Sequence, residues 1–217
     1  MPATSRNLTA LLLAFSLAVL GLLGGALAWR VFEHSEPPAT ESLIVLPEPR
    51  IVADFDLRDQ RGEPFSLQDL RGRWSVLFFG FTSCPDVCPN TLFQLHQVRS
   101  ALLETLGPDE VPEIYLVSVD PERDTPDKLA SYLEHFDPAF KGVTGDDAQL
   151  RALTLQLGAM YHVAPHDPGD TAYQVDHSAS LMLLDPEGRL YGVLPAPHVV
   201  DHIIADLTEV LNNSGSG

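Results

Sequence analysis

Three short stretches of the chain are almost wholly apolar: Ser75–Phe81, Ile114–Val119 and Leu181–Leu184. Runs of that length bounded by turn residues predict strands buried on both faces. Between and after them the apolar positions change to helical spacing. Leu92, Leu95, Val98, Leu102 and Leu106 predict a helix that begins near Pro89 and ends at Gly107-Pro108. Leu129, Tyr132, Leu133 and Phe136 predict a second, with Thr125 as cap and Pro126 in the first turn. Leu150, Leu153 and Leu157 mark a third, stopped at Gly158. Val199, Val200, Ile203, Ile204, Leu207, Val210 and Leu211 mark the last. Turn residues predict an N-terminal hairpin at Asp59-Gln60-Arg61-Gly62 and a second turn at Asp185-Pro186-Glu187-Gly188, which joins Leu181–Leu184 to Leu190–Leu194.

Strands that alternate with helices predict an α/β sheet covered on both faces. A βαβ half followed by a ββα half, with cysteines at the first strand-to-helix junction, points to a thioredoxin-like fold with an N-terminal β-hairpin extension. Residues 50–212 supply this domain, and one core suffices for its length of about 165 residues.

The N-terminus reads differently. Leu8 to Trp29 holds no charged side chain over 22 positions, enough for a helix across about 30 Å of hydrocarbon. Arg6 precedes it, and Arg30 and then Glu33, Glu36 and Glu41 follow. We expect a transmembrane anchor at 8–29 with residues 1–7 in the cytoplasm. Ala26-Leu27-Ala28 offers the rival reading of a signal-peptide cleavage site. Both send the rest of the chain to the same side, which we expect to be the periplasmic face of a bacterial inner membrane. Residues 30–49 carry four prolines and read as a semi-stiff linker. The alternative is an ordered arm that packs through Leu43, Ile44, Val45 and Leu46. Residues 213–217 read as a frayed, disordered tail.

A net charge of −17 argues against nucleic acid and anionic lipid headgroups as partners. The chain has two cysteines, Cys84 and Cys88, in the stretch FTSCPDVCPN. A helix N-terminus favours the thiolate and lowers a thiol pKa from about 8.5. A structural 84–88 disulfide would close too small a loop to remove much chain entropy. Thiol–disulfide exchange remains, although oxidoreductases of this fold use two intervening residues and this chain has three. Metal chelation remains as well. Soft sulfur selects Cu(I), and imidazole adds affinity for Cu(II). A structural zinc wants four ligands, and there is no second cysteine pair.

A third ligand would come from the eight histidines. His34 falls in the linker, His96 and His135 on helix surfaces, and His162 and His166 beside the loop Ala164–Asp170. His198 and His202, four apart, read as a solvated face of the last helix with Asp201 and Glu209. His177, in QVDHSAS, precedes the strand Leu181–Leu184. In a thioredoxin-like fold that segment packs beside the cysteine loop, so His177 is placed either as a ligand or as an ordinary loop histidine.

GFTSCPDVCPNTL (80–92), VSVDPERDTP (117–126) and VDHSASLMLLDPEG (175–188) together resemble the SCO/SenC family of copper chaperones for cytochrome c oxidase assembly, over residues 50–212. The resemblance implies one copper, Cu(I) or Cu(II), bound by Cys84, Cys88 and His177. It also implies Asp120 as an acidic residue near the site without being a ligand. The implied partners are the copper-site subunit of the oxidase, an upstream copper donor and a thiol reductant, with the membrane held by the N-terminal helix. The implied protein is a metallochaperone and not an enzyme. The alternative is a thiol–disulfide reductase that keeps the oxidase copper-site cysteines reduced. A thiol peroxidase is the weakest reading, because Thr82-Ser83-Cys84 lacks the surroundings of a peroxidatic cysteine.

Overall fold

Ser75–Gly80 is buried at all six positions and sits in the interior of an eight-stranded mixed sheet. The structure is a computed structural model. It describes residues 40–214 together with Leu17, Val19 and Gly21, which are helical. The chain divides into two units, Met1–Pro37 and Pro38–Gly217. Among the described residues no helix is long and apolar enough to cross a membrane; the expected anchor at 8–29 and the start of the linker lie outside them, apart from those three positions.

In chain order the elements are β1 (Ile44–Arg50), β2 (Leu57–Asp59), β3 (Pro64–Phe65), a short 3-10 helix (Leu67–Leu70), β4 (Ser75–Gly80), α1 (Val87–Leu106), β5 (Glu113–Ser118), α2 (Pro126–Glu134), β6 (Lys141–Thr144), α3 (Asp147–Leu157), β7 (Tyr161–Val163), β8 (Val175–His177), β9 (Leu181–Leu184), β10 (Leu190–Leu194) and α4 (Val200–Ser214). The large sheet has the order β1-β10-β9-β4-β5-β6-β2-β3, and β7 and β8 pair separately as a ribbon. β4, β5 and β6 run parallel to one another. β9 is antiparallel to β4, and β10 to β9. The β4-α1-β5 unit followed by β9-β10-α4 is the arrangement expected from the apolar pattern. The hairpin at Asp59–Gly62 also forms, with β2 and β3 antiparallel and Gly62 at φ 80°, where a side chain would be strained.

Three expectations change. The linker does not extend to residue 49: Ile44 and Val45 pair with β10, and Leu43 is buried. Pro47 and Pro49 fit because β1 is an edge strand, where a missing N–H breaks no ladder. Asp206 of α4 fastens this arm, its carboxylate accepting from the N–H groups of Glu41, Ser42 and Leu43 at 2.8 Å each. The domain therefore begins before residue 50. At the other end α4 continues to Ser214, into the segment read as a tail; residues 215–217 lie outside the described ones. Finally, His198 is not on a solvated helix face. It precedes α4, is half-buried, and its Nε2 has no hydrogen-bond partner. Its backbone carbonyl accepts from Gln94 of α1 at 3.1 Å.

Candidate metal centre

The cysteine loop leaves the carboxyl end of β4 and turns at once: the Cys84 N–H donates to the Phe81 carbonyl at 3.2 Å. α1 then begins at Val87, two residues before Pro89, so Cys88 lies within its first turn. Asp86 precedes the helix but makes no side-chain cap. Its carboxylate accepts instead from the Asn90 amide at 2.7 Å. Cys88 is 0% exposed, whereas Cys84 is partly exposed. Gly80 makes room for the inner sulfur, since a Cβ at that position would stand 2.7 Å from Cys88 Sγ.

His177 comes to this loop from β8. Its Nε2 lies 3.4 Å from Cys88 Sγ. Its Nδ1 lies 3.1 Å from the Ser178 carbonyl. A carbonyl only accepts, so Nδ1 carries the proton and Nε2 presents its lone pair to the sulfurs. Phe78 and Phe81 meet the imidazole edge-on, with ring centroids 5.9 and 5.8 Å away. Burial lowers the His177 pKa, which keeps the ring neutral and able to ligate.

The ligand atoms of Cys84, Cys88 and His177 all lie within 4.8 Å of one another, the one such cluster of three among the described residues. Atoms that share a metal at about 2.0–2.3 Å are at most about 4.6 Å apart, so the set can close on one ion with little movement. Two sulfurs and one imidazole are soft-to-borderline donors, suited to copper more than to the hard cations.

The thiols differ from the expectation at one point. Burial pushes the Cys88 thiol up, against the N–H of Phe81, which favours its anion; Cys84 and Asp124 add to the rise. At this sulfur, desolvation outweighs the helix terminus. The chain therefore keeps Cys88 protonated until something displaces the proton, as a bound cation would.

Asp120 is not at the sulfurs. It is buried at the end of β5 and accepts from Arg123 Nε and from the Tyr173 hydroxyl. Arg123 Nη1 donates to the carbonyls of Thr171 and Tyr173 at 3.0 and 3.1 Å. Its guanidinium lies over the rings of Tyr173, at 3.8 Å, and Phe81, at 5.3 Å. Asp120 thus ties the approach to β8 to the base of the cysteine loop, through Arg123. His166 stacks on Tyr173 at 3.7 Å and reaches Glu122 at 3.0 Å. His202 pairs with Glu41 at 3.1 Å and His96 with Asp137 at 3.1 Å; neither approaches the sulfurs closely enough to join the cluster.

The residue that sequence reasoning passed over is Asp124. It is fully buried and accepts from the Thr82 N–H at 2.8 Å, the Thr82 hydroxyl and the Ser118 hydroxyl at 2.7 Å. Lys128 balances its charge at 3.3 Å. It holds the first residue of the cysteine loop against β5. The signal was present in VSVDPERDTP, where an acid stands directly before the helix cap Thr125.

A buried thiol behind a half-exposed one, with a neutral imidazole facing both on a thioredoxin-like sheet, defines a protein of reactive sulfur or soft-metal chemistry. The chain belongs to the SCO1/SenC family, whose profile matches residues 46–212. A Stutzerimonas stutzeri protein named for copper binding is 39% identical over 173 residues, covering 79% of this chain and 82% of that one. The structure of Bradyrhizobium japonicum ScoI with copper bound superposes with a TM-score of 0.63 at 34% identity, covering 73% of this chain and 98% of that one. Apo Sco1 from Thermus thermophilus gives 0.68 at 34% identity, covering 79% and 97%.

Proposed function

We propose that this protein is a membrane-anchored copper carrier. It holds one copper ion as cargo through Cys84, Cys88 and His177 and delivers it to the binuclear copper site of a cytochrome c oxidase subunit. The observation that carries the reading is the convergence of those three ligand atoms within 4.8 Å from segments 89 residues apart. Membership of the SCO1/SenC family and the copper held by the Bradyrhizobium relative support it. The uncharged stretch 8–29, flanked by Arg6 and Arg30, supports an anchor in a bacterial inner membrane with the domain in the periplasm. An upstream donor loads the site, and a thiol reductant keeps it open. Two thiolates with Cu(I) carry a net charge of −1, and with Cu(II) the site is neutral. Exchange with a partner disulfide, which takes up the two electrons and is reduced to two thiols, closes the 84–88 disulfide and removes both sulfur donors together, so cargo release can follow redox state.

The test is metal titration of the reduced full chain in detergent. One copper per chain with sulfur-edge absorption from two thiolates is expected, and Cys84→Ser or Cys88→Ser abolishes stoichiometric binding. Copper held without thiolate ligation would sink the reading.

A second reading has its own observation: Cys84 is accessible and Cys88 is shielded behind it. In that role the Cys84 thiolate attacks a partner disulfide, forms a mixed disulfide and releases one partner thiolate. Cys88 then attacks Cys84, the 84–88 disulfide closes, and the second partner thiol leaves. The oxidase copper-site cysteines would be the substrate, reduced before they receive metal.

A further inference from the structure

The loop between β7 and β8, residues 164–174, leads straight towards His177. Several of its ties reach one short strip, the turn that follows β5. Arg123 Nη1 donates to the carbonyls of Thr171 and Tyr173 at 3.0 and 3.1 Å. The Tyr173 hydroxyl donates to Asp120, and His166 Nε2 lies 3.0 Å from the Glu122 carboxylate. Asp124, the next residue of the strip, accepts from the Thr82 N–H at the cysteine loop. The strip 120–124 therefore braces both halves of the metal centre.

His166 is the member of this brace whose charge changes near neutral pH, because imidazole ordinarily titrates near 6.5. Its two ring nitrogens face two acceptors. Nδ1 lies 2.9 Å from the Ala164 carbonyl and Nε2 3.0 Å from the Glu122 carboxylate. A carbonyl only accepts, and so does an ionised carboxylate. A neutral ring carries one N–H and makes one of the two bonds; the imidazolium makes both. The ring also lies against Tyr173, with 3.7 Å between centroids and 16° between planes. Arg123 stands 3.8 Å from the same centroid, so guanidinium and imidazole take opposite faces of the phenol.

The surroundings favour the proton. The Ala164 carbonyl first and the Glu122 carboxylate next hold the His166 pKa above the ordinary histidine value; burial opposes them and Asp170 adds to them. Across the Tyr173 ring, the charge of Arg123 is matched by Asp120. From α3, Asp147 and Arg151 line the same cavity as His166, and they pair with each other at 2.6 Å.

We propose that His166 is a positioning residue for the third ligand: its imidazolium, bridging Glu122 and the Ala164 carbonyl against Tyr173, braces the 164–174 loop so that β8 presents His177 to the sulfurs, and loss of the proton loosens that brace. The inference rests on the reading of His177 as a copper ligand and adds a control of the same site. Below about pH 6.5 the ring is protonated whether the chain is folded or unfolded, and the brace is complete. As pH rises through the raised folded value one bond is lost, so the hold on His177 slackens on the alkaline side.

Two variants test it. His166→Phe keeps a ring on Tyr173 and removes both N–H donors. Glu122→Gln, at an exposed position, removes the carboxylate alone. Hydrogen exchange of the reduced, metal-free full chain in detergent is followed by mass spectrometry at about pH 5.5 and 8.5. Each rate is divided by that of the unfolded chain at the same pH. At the lower pH both variants exchange residues 164–177 about two- to fivefold faster than the wild type; at the higher pH the gap narrows towards parity. Copper release to a chelator from the loaded proteins follows the same pattern. A wild-type advantage equal at both pH values overturns the inference, since the ring would then act by packing alone. No advantage at either value overturns it too, as does copper release alike in all three proteins at the lower pH. A wild type that takes up no copper would end the carrier reading instead, and the exchange comparison would still decide whether the brace answers to the proton.

Discussion

Cys88 Sγ stands 3.4 Å from Nε2 of His177, across 89 residues of chain. Neither residue owes its place to the other. The β4–α1 junction and the missing Cβ of Gly80 seat the sulfur. The pairing of β7 with β8 and the bond from Nδ1 to the Ser178 carbonyl aim the ring. Ligands held ready by their own surroundings lose little freedom when an ion arrives.

His177→Ala separates the two readings of the site. Copper affinity falls by about tenfold or more, which is about 1.4 kcal/mol or more, measured by competition with a copper chelator. Oxidation of the dithiol to the disulfide proceeds at nearly the wild-type rate, since sulfur exchange needs no imidazole ligand. Unchanged copper affinity in this variant would shift the case to the reductase.

Gly80→Ala places a methyl group 2.7 Å from Cys88 Sγ. Leu116 and Phe78 also crowd that position at 3.2 Å, so the clash cannot relax inward. The cost is about 1–3 kcal/mol of stability, with copper affinity falling as the sulfur is displaced from His177. Denaturant unfolding and copper competition on the same variant check both. Wild-type behaviour in each would mean that the sulfur has room to move.

Asp206→Ala removes the acceptor of three backbone N–H groups. Loss of about 2–3 kcal/mol is expected, because charged hydrogen bonds are lost and the buried Leu43 N–H is orphaned. Limited proteolysis then cuts between residues 40 and 50, while copper binding persists because the arm contacts none of the three ligands. Resistance equal to the wild type would show that β1 holds without Asp206.

Burial makes one contribution to the pH response of the metal-free fold, opposed by that of His166, whose pKa the Ala164 carbonyl and Glu122 raise. Burial holds both His177 and His198 below the ordinary histidine value. Above about pH 6.5 neither state binds these protons, and the stabilisation from the neutral rings is complete. As pH falls below that value the unfolded chain takes up protons that the folded one refuses, and stability declines towards the folded pKa values. Unfolding midpoints at about pH 7.5 and 5.5 report the decline, and His198→Gln reduces it. A pH dependence unchanged by His198→Gln would contradict the burial argument.

The buried strands and the helices were legible because continuous apolar runs and three-to-four spacing belong to different structures. The two sulfurs were legible as a site because their loop falls at a strand-to-helix junction; His177 was legible as a candidate from its place before a buried strand, and as a ligand only through the family resemblance. The arm was legible only as the alternative to a linker, since Pro47 and Pro49 in β1 read as linker unless the strand is known to lie at an edge, and edges are a property of topology. β6 (KGVT) and the three-residue strands β7 and β8 are too short to show a period. Asp124 was hidden for a related reason: an acid in a polar stretch reads as solvated, and only the tertiary fold encloses it. His198 was misplaced by extending the helical period two residues too far towards the N-terminus of α4.

The ribbon of β7 and β8 amounts to three residue pairs, Tyr161 with His177 at one end and Val163 with Val175 at the other, and it shares no ladder with the eight-stranded sheet. The imidazole thus hangs on a small flap, and the sulfurs are rooted in the scaffold. Shifting that flap would break the core contacts of Tyr161 and Val175 and the bonds of Tyr173 to Asp120 and Arg123, yet leave every ladder of the eight-stranded sheet paired. The third ligand thus sits outside the sheet that roots the two sulfurs, and a change in its place need not unpair a strand of that sheet.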